Sequence, residues 1–179
     1  MRVTLIRHGE SEANVGNFIS DDPRKPVNLT ARGIAQAEAL ATAIAHEQFT
    51  HAYVSEFLRA QQTLAILLRG MPLIPQVDAR LNERKSGLDG HPVHIFNDEV
   101  RRNPLHYKTP YGETFLEQME RLRNFLDDVV MRHPQGRIIL VSHENPILAA
   151  KAWTTSAEAE VFAAVPNCGR VDIEWPLSE

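Results

Sequence analysis

Two short apolar segments, far apart in the chain, each run directly into a histidine. Residues 2–6 (Arg-Val-Thr-Leu-Ile) lead into Arg7 and His8, and residues 137–141 (Arg-Ile-Ile-Leu-Val) lead towards His143. Continuous apolar runs of this kind are typical of parallel strands covered on both faces. Ligands bind beyond the carboxyl ends of strands in an open parallel sheet. If these two strands are neighbours, their histidines are therefore expected to face one site.

The rest of the chain alternates helical and strand-like patterns. Helices are predicted at about 31–47, 57–69, 94–102, 113–133, 145–153 and 156–164, and further strands at 51–54, 73–77 and 171–175. The predicted apolar stripes include Ile34 on the first helix and Leu116 on the fourth. Pro75 indicates an edge position for the 73–77 strand. The alternation predicts an α/β fold, a three-layer α/β/α sandwich with a mostly parallel central sheet.

Composition limits the number of domains and the classes of partner. A chain of 179 residues with 43% hydrophobic residues is expected to form a single domain over 1–179. Its formal net charge of −4 gives no overall attraction to nucleic acid or to an anionic membrane, so neither partner is expected. One cysteine, Cys168, and the lack of a signal-peptide or transmembrane pattern favour a cytoplasmic location. The oligomeric state has no signal in the sequence.

Residues 81–111 form a long stretch without periodicity. A long insertion in a compact domain is more often functional than filler, so this stretch is predicted to set substrate specificity. Basic residues there and in the 11–28 loop either recognise further anionic groups or form a solvated surface: Arg24, Lys25, Arg84, Lys85, Arg102 and Lys108. His91 and His94 lack a second Cys or His pair at zinc spacing, so neither a metal nor a cofactor is expected.

Six fragments, in order, resemble the histidine phosphatase superfamily, which includes cofactor-dependent phosphoglycerate mutases and fructose-2,6-bisphosphatase. The fragments are residues 5–14 (LIRHGESEAN), 29–37 (LTARGIAQA), 54–63 (VSEFLRAQQT), 81–83 (LNE, followed by Gly87 and Gly90), 112–114 (GET) and 141–143 (VSH). They span nearly the whole chain. The resemblance implies a phosphoglycerate mutase-like fold.

The resemblance also implies roles for individual residues. His8 would attack phosphorus and become phosphohistidine, because a neutral imidazole is nucleophilic near pH 7. Glu83 would donate a proton to the leaving alkoxide and later activate water. Glu113 is an alternative acid, although its position also suits a carboxylate that stabilises a helix terminus. The residues that would bind the phosphoryl group and stabilise its charge are Arg7, Asn14, Arg59 and His143.

Two positions depart from the family pattern. Glu144 follows His143 where the family commonly has glycine, so a carboxylate would crowd the phosphate pocket unless its side chain turns away. Leu88 and Asp89 stand where many relatives have tryptophan and glutamate, which affects the substrate pocket more than the chemistry.

The functional prediction is a metal-independent phosphomonoesterase, of histidine acid phosphatase type, that acts on a small phosphorylated metabolite. One alternative is a cofactor-dependent phosphoglycerate mutase-type phosphotransferase. Ala13, where such mutases usually have tryptophan, and the short segment between Glu83 and His143 count against it. The other alternative is a catalytically silent phospholigand-binding protein. Only Glu144 favours that, since a binding protein does not need a nucleophile paired with an acid.

Overall fold

The computed structural model describes residues 1–178 and contains one five-stranded sheet in the order β3-β2-β4-β1-β5. All neighbouring strands are parallel except β5, which runs antiparallel to β1. The strands are β1 (Arg2–Arg7), β2 (His51–Val54), β3 (Pro75–Val77), β4 (Arg137–Ser142) and β5 (Arg170–Glu174). The helices are α1 (Glu12–Gly16), α2 (Ala31–Ile44), α3 (Leu58–Leu67), α4 (Val93–Arg102), α5 (Phe115–Arg132), α6 (Glu144–Ala152) and α7 (Ala157–Glu160), with a 3₁₀ turn at Ala79–Leu81.

The sheet is covered on both faces, which confirms the predicted three-layer α/β/α sandwich. Ile139 and Val141 of β4 pack with residues of α2 and α3 on one face. Ile138 and Leu140 pack with residues of α5 and α6 on the other. Because successive side chains of a strand point to opposite faces, an unbroken apolar run is what a central strand between two helical layers requires.

The carboxyl ends of β1 and β4 lie side by side. The two strands are parallel neighbours, and Arg7 stands opposite Ser142 in their register. The next residue of each strand is a histidine, so His8 and His143 leave the sheet at the same level. Their ring centroids are 5.2 Å apart. The expectation that both histidines reach one place is confirmed.

Several element boundaries differ from the sequence predictions. β3 is shorter than predicted but lies at the sheet edge, as Pro75 indicated. The fourth predicted helix begins two residues late, because the Thr114 side chain caps the backbone N–H of Glu117 and fixes the first turn at Phe115. The predicted helix at 156–164 is reduced to the single turn of α7.

Two predicted core positions are wrong. Ile34 is 40% exposed and Leu116 is 38% exposed. α2 packs through Gly33 and Ala37, and α5 packs through a row that begins at Phe115. Each misplaced residue follows a buried residue by one position, which rotates it by about 100° around the helix and away from the interior.

Among residues 1–178, no helix is both long and apolar enough to cross a membrane.

Candidate active site

His8 is held in one tautomer by the backbone that follows it. The residue is only 3% exposed, and its Nδ1 lies 2.7 Å from the carbonyl oxygen of Gly9. A carbonyl only accepts hydrogen bonds, so Nδ1 carries the proton and Nε2 is unprotonated. Arg59 Nε donates to the same Nε2 at 3.3 Å, which requires the same tautomer. Burial, together with Arg59 and Arg7, lowers the pKa of His8 well below its usual value.

The turn after β1 is packed too closely for side chains. A Cβ on Gly9 would lie 2.5 Å from the carbonyl oxygen of Gly33, and a Cβ on Gly33 would clash with the backbone of Glu10. The first turn of α2 therefore lies directly against the His8 loop. The Thr30 N–H donates to the Glu10 carbonyl at 2.9 Å, and the Gly9 N–H donates to Thr63 Oγ1 at 3.1 Å. These contacts fix the backbone that orients the imidazole.

Two arginines flank His8, of which Arg59 is buried and Arg7 is partly buried. The Arg59 guanidinium donates through Nη1 to the hydroxyl of Ser20 and through Nη2 to its carbonyl oxygen. Burial lowers the pKa of Arg59 to about 10, so the group stays cationic at neutral pH. Arg7 donates through Nη1 to the Val165 carbonyl and to Glu144, whereas its buried Nε has no partner among residues 1–178.

His143 is completely buried at the start of α6. Its Nε2 lies 2.8 Å from Ser55 Oγ, and the edge of the Phe57 ring packs against it. Ser55 Oγ also accepts the Phe57 N–H. The Ser55 hydroxyl therefore donates its own hydrogen to His143 Nε2, and Nδ1 of His143 carries the imidazole proton. Nδ1 is buried and unpartnered within the described part of the chain. Burial and the nearby Arg59 and His8 lower the pKa of His143 well below its usual value.

Asn14 lies in the first turn of α1 and lines the same cavity as His8. Its side-chain oxygen accepts hydrogen bonds from the backbone N–H and the hydroxyl of Ser11, which forms a capping box. The Nδ2 group takes no part in that box. It is therefore available to donate to a ligand.

The cavity beyond these strand ends has a volume of about 180 Å³. Residues of the 81–111 segment line this cavity, among them Glu83 and, from α4, Val93, Phe96 and Asn97. Glu83 Oε1 accepts the Arg84 N–H at 2.8 Å, and the Asn145 side chain forms a further hydrogen bond with the carboxyl group. Burial raises the pKa of Glu83, and the nearby Glu144 carboxylate raises it further.

Glu113, the alternative acid, is engaged elsewhere. Its carboxylate accepts two hydrogen bonds from Arg121, at 3.0 and 2.8 Å, and one from the Lys85 N–H at 2.8 Å. Arg121 also donates to the carbonyl oxygen of Glu83. Glu113 is absent from the cavity wall. The Glu113–Arg121 pair therefore holds the backbone on either side of Glu83, and the geometry favours Glu83 as the acid.

Replacing Arg121 by methionine is expected to destabilise the protein by about 3–5 kcal/mol, because it leaves the Glu113 carboxylate buried without its counter-charge. Urea unfolding measures the loss. Arg101→Met is the matched control, since Arg101 pairs with Asp98 on the surface and such pairs contribute about 0–1 kcal/mol. Equal losses in the two variants would contradict a structural role for the Glu113–Arg121 pair.

The Glu144 side chain does not turn away from the cavity. Its carboxylate lines the wall, 3.3 Å from Arg7 Nη1, and accepts the Val165 N–H at 3.0 Å. The substitution that departs from the family pattern thus places a negative charge beside one of the candidate phosphate ligands.

Sequence reasoning missed two serines that orient the site. Ser55 follows β2, so the rule that identified both histidines, a polar residue at the carboxyl end of a parallel strand, was sufficient to find it. Ser20 lies in the irregular loop between α1 and α2, where no periodic signal marks it. Among residues 1–178, no group of three or more His, Cys, Asp or Glu side chains is arranged to hold a metal ion.

Known proteins are similar to this chain over most of its length. The family model described as "Histidine phosphatase superfamily (branch 1)" matches residues 3–176. The chain belongs to the histidine phosphatase superfamily. This agrees with the order of its sequence fragments and with its mostly parallel sheet.

Individual members of the histidine phosphatase superfamily align along most of their length. An adenosylcobalamin/alpha-ribazole phosphatase from Salmonella typhimurium is 39% identical, over 94% of this chain and 91% of the relative. A probable phosphoglycerate mutase from Proteus mirabilis is 31% identical, over 97% and 86% respectively. The crystal structure of a putative alpha-ribazole-5'-P phosphatase from Escherichia coli superposes with a TM-score of 0.83 and 28% identity, over 99% of this chain and 92% of that one.

Proposed function

We propose that the protein is a metal-independent phosphomonoesterase that acts on a small phosphorylated metabolite through a phosphohistidine at His8. The observation that carries the proposal is the fixed tautomer of His8, whose Nε2 lone pair is oriented by the Nδ1 hydrogen bond to Gly9. The similarity to curated phosphatases supports the reaction class. The small cavity supports a metabolite as the substrate.

In the proposed mechanism, unpartnered donors bind the phosphoryl oxygens. Arg7 Nε and His143 Nδ1 are buried donors without protein partners in residues 1–178, and burial of such groups is costly unless a ligand satisfies them. Arg59 and Asn14 line the cavity together with Arg7 and provide further donors, while the fully buried His143 lies next to His8. Fixed cations in a buried site stabilise the charge on the transferring oxygens without reorganisation.

His8 Nε2 then forms the bond to phosphorus while the bond from phosphorus to the ester oxygen breaks. Glu83 gives its proton to the departing alkoxide. The phosphorylated ring carries positive charge, and the Gly9 carbonyl that accepts from Nδ1 stabilises that charge, since the same contact opposes the lowering of the His8 pKa. In the second half, Glu83 takes a proton from water as the water oxygen attacks phosphorus, and neutral His8 leaves.

We also propose that residues 81–111 select the alcohol part of the substrate within a single domain. They line the cavity with Glu83, Arg84 and Ser86 and, from α4, with Phe96. The carboxyl end of the sheet provides the phosphate site itself. The 81–111 segment thus supplies both the acid and contacts to the alcohol, whereas the ends of β1 and β4 supply the nucleophile and phosphate ligands.

The direct test is hydrolysis of 4-nitrophenyl phosphate by the purified protein in excess chelator. We expect full activity and a stoichiometric phosphoenzyme, detected by rapid quench and mass spectrometry of the peptide that contains His8. Loss of activity in chelator, with recovery on adding a divalent ion, would contradict metal independence. An active enzyme with no phosphorylated peptide would contradict the covalent intermediate.

A second candidate is phosphoryl transfer between positions of a phosphoglycerate, because a probable phosphoglycerate mutase is 31% identical to the chain. Incubation with 3-phosphoglycerate and 2,3-bisphosphoglycerate separates the two functions. A phosphatase releases inorganic phosphate, whereas a mutase gives the 2-phospho isomer. A silent binding protein would give neither product.

The pH profile of kcat/KM is expected to extend to unusually low pH on its acidic side. The nucleophile must be unprotonated, and the pKa of His8 is well below its ordinary value of 6.5, so acid inactivation is expected only well below that pH. The acid must be protonated, and the pKa of Glu83 is raised above 4.5, so the alkaline limb is expected above that value. Glu83→Gln should remove the alkaline limb for an alkyl phosphate. An acidic limb at 6.5 or higher would contradict this environment for His8.

A further inference from the structure

Glu144 shares the cavity with Glu83. Both carboxyl groups line its wall, and they are close enough for the Glu144 charge to act on Glu83. The alkoxide leaves beside Glu83 in the proposed mechanism. Glu144 therefore lies beside the acid as well as beside the phosphate ligand Arg7.

The charges lining the cavity balance without any further anion. The guanidinium groups of Arg7, Arg59 and Arg84 contribute three positive charges to the wall. Ionised Glu144 and a dianionic phosphoryl group contribute three negative charges, while Glu83 is neutral when it acts as the acid. A carboxylate or second phosphate on the alcohol would add uncompensated negative charge in a mostly buried site, where charge repulsion is weakly screened.

Arg84 is not free to recognise a second anion. It is 2% exposed, and its guanidinium donates to the carbonyl oxygens of Glu113 and Tyr107. The same group stacks over the ring of Phe96, 4.9 Å from its centroid. Arg84 is thus fixed inside the wall by three contacts.

The other basic side chains that the sequence offered for this purpose have acidic partners or lie outside the wall. Lys85 is exposed and does not line the cavity. The other four basic residues form ion pairs: Arg24 with Asp22, Lys25 with Asp89, Arg102 with Glu99 and Lys108 with Glu117. None of these basic residues lines the cavity.

We propose that Glu144 is a specificity-determining residue that restricts the enzyme to phosphate monoesters whose alcohol carries no second negative charge. The proposal rests on the proposed phosphatase function and specifies its substrate class. The ion pair with Arg7 and the Val165 N–H hold the carboxylate in place. The apolar side chains of Phe18, Val93 and Phe96 line the same cavity and then contact an uncharged alcohol.

The test compares glycerol 3-phosphate with 3-phosphoglycerate, which differ by a carboxylate in place of a hydroxymethyl group. We expect the wild-type protein to have the higher kcat/KM for glycerol 3-phosphate. Glu144→Gln keeps the size of the side chain and an oxygen for the Val165 N–H but removes the charge. It is expected to reduce the ratio of the two kcat/KM values by about tenfold, because charges a few ångströms apart in a partly buried site interact strongly.

Because the ratio is measured on one preparation, partial unfolding of the variant cancels. The matched control is Glu158→Gln, which removes the same charge from an exposed position of α7 outside the cavity wall and should leave the ratio unchanged. A wild-type preference for 3-phosphoglycerate, or an unchanged ratio in Glu144→Gln, would overturn the proposal. Failure of the wild-type protein to hydrolyse 4-nitrophenyl phosphate would instead overturn the phosphatase function itself.

Discussion

Replacing His8 by glutamine is expected to lower the rate of phosphate release by roughly 10⁴- to 10⁶-fold and to abolish the phosphoenzyme. Glutamine fills much of the same space and forms hydrogen bonds, but it offers no nucleophilic lone pair. Any residual turnover would come from direct attack by water on a phosphoryl group still held by Arg7 and Arg59. Rapid-quench measurement of phosphate release and of the phosphorylated peptide checks both parts of the expectation.

The control for His8→Gln is the same substitution at His46, which is exposed at the end of α2. It should leave turnover unchanged. A rise in melting temperature on adding inorganic phosphate would show that the pocket of His8→Gln remains intact, since a ligand that binds only the folded state stabilises it. A His8→Gln enzyme that binds phosphate and still forms a phosphoenzyme would place the nucleophile elsewhere.

Glu83→Gln is expected to lower the rate of phosphorylation by alkyl phosphates by roughly 10²- to 10⁴-fold, because the alkoxide then leaves without a proton. Aryl phosphates with acidic phenols need little protonation and should lose far less in this step. Water attack on the phosphohistidine also slows, so the intermediate should accumulate with aryl substrates. Rapid-quench kinetics with both substrate types measure the difference.

Comparison with Glu113→Gln decides which of the two glutamates is the acid. Glu113 holds the loop through Arg121 and the Lys85 N–H, so its loss should reduce stability and affect both substrate types alike. Equal losses for aryl and alkyl phosphates in Glu83→Gln would contradict its role as the acid. A leaving-group dependence in Glu113→Gln instead would move that role to Glu113.

The sequence predicts most readily the features that depend on strand periodicity. His8 and His143 each follow an apolar strand, and parallel neighbours bring their carboxyl ends to one edge, so their proximity is accessible without coordinates. Arg59 is similarly placed in the first turn of the helix that follows β2. A cation near the positive end of a helix is unfavourable without an anionic partner, so the position of Arg59 indicated an anion-binding role.

Contacts between irregular segments are not predictable in this way. Arg59 donates to Ser20, which lies in a loop with no regular pattern. Arg84 donates to the carbonyl oxygens of Tyr107 and Glu113, which lie more than 20 residues further along the chain. The direction of the Glu144 side chain depends on the Val165 N–H, which another loop supplies. Each is a tertiary contact that no local periodicity records.

The neighbouring positions of β1 and β4 imply that a slip of one residue between these strands would separate the two histidines. Both strands are apolar on both faces, so the hydrophobic pattern distinguishes poorly between the native pairing and a shifted one. Polar contacts fix each strand to another part of the chain: Thr4 Oγ1 of β1 donates to Asp172 of β5 at 2.6 Å, and Ser142 Oγ of β4 donates to the Leu81 carbonyl at 2.6 Å. A shift of β4 would leave the fully buried Ser142 hydroxyl without its partner. The Ser142 hydroxyl therefore disfavours a well-packed alignment in which His143 no longer lies beside His8.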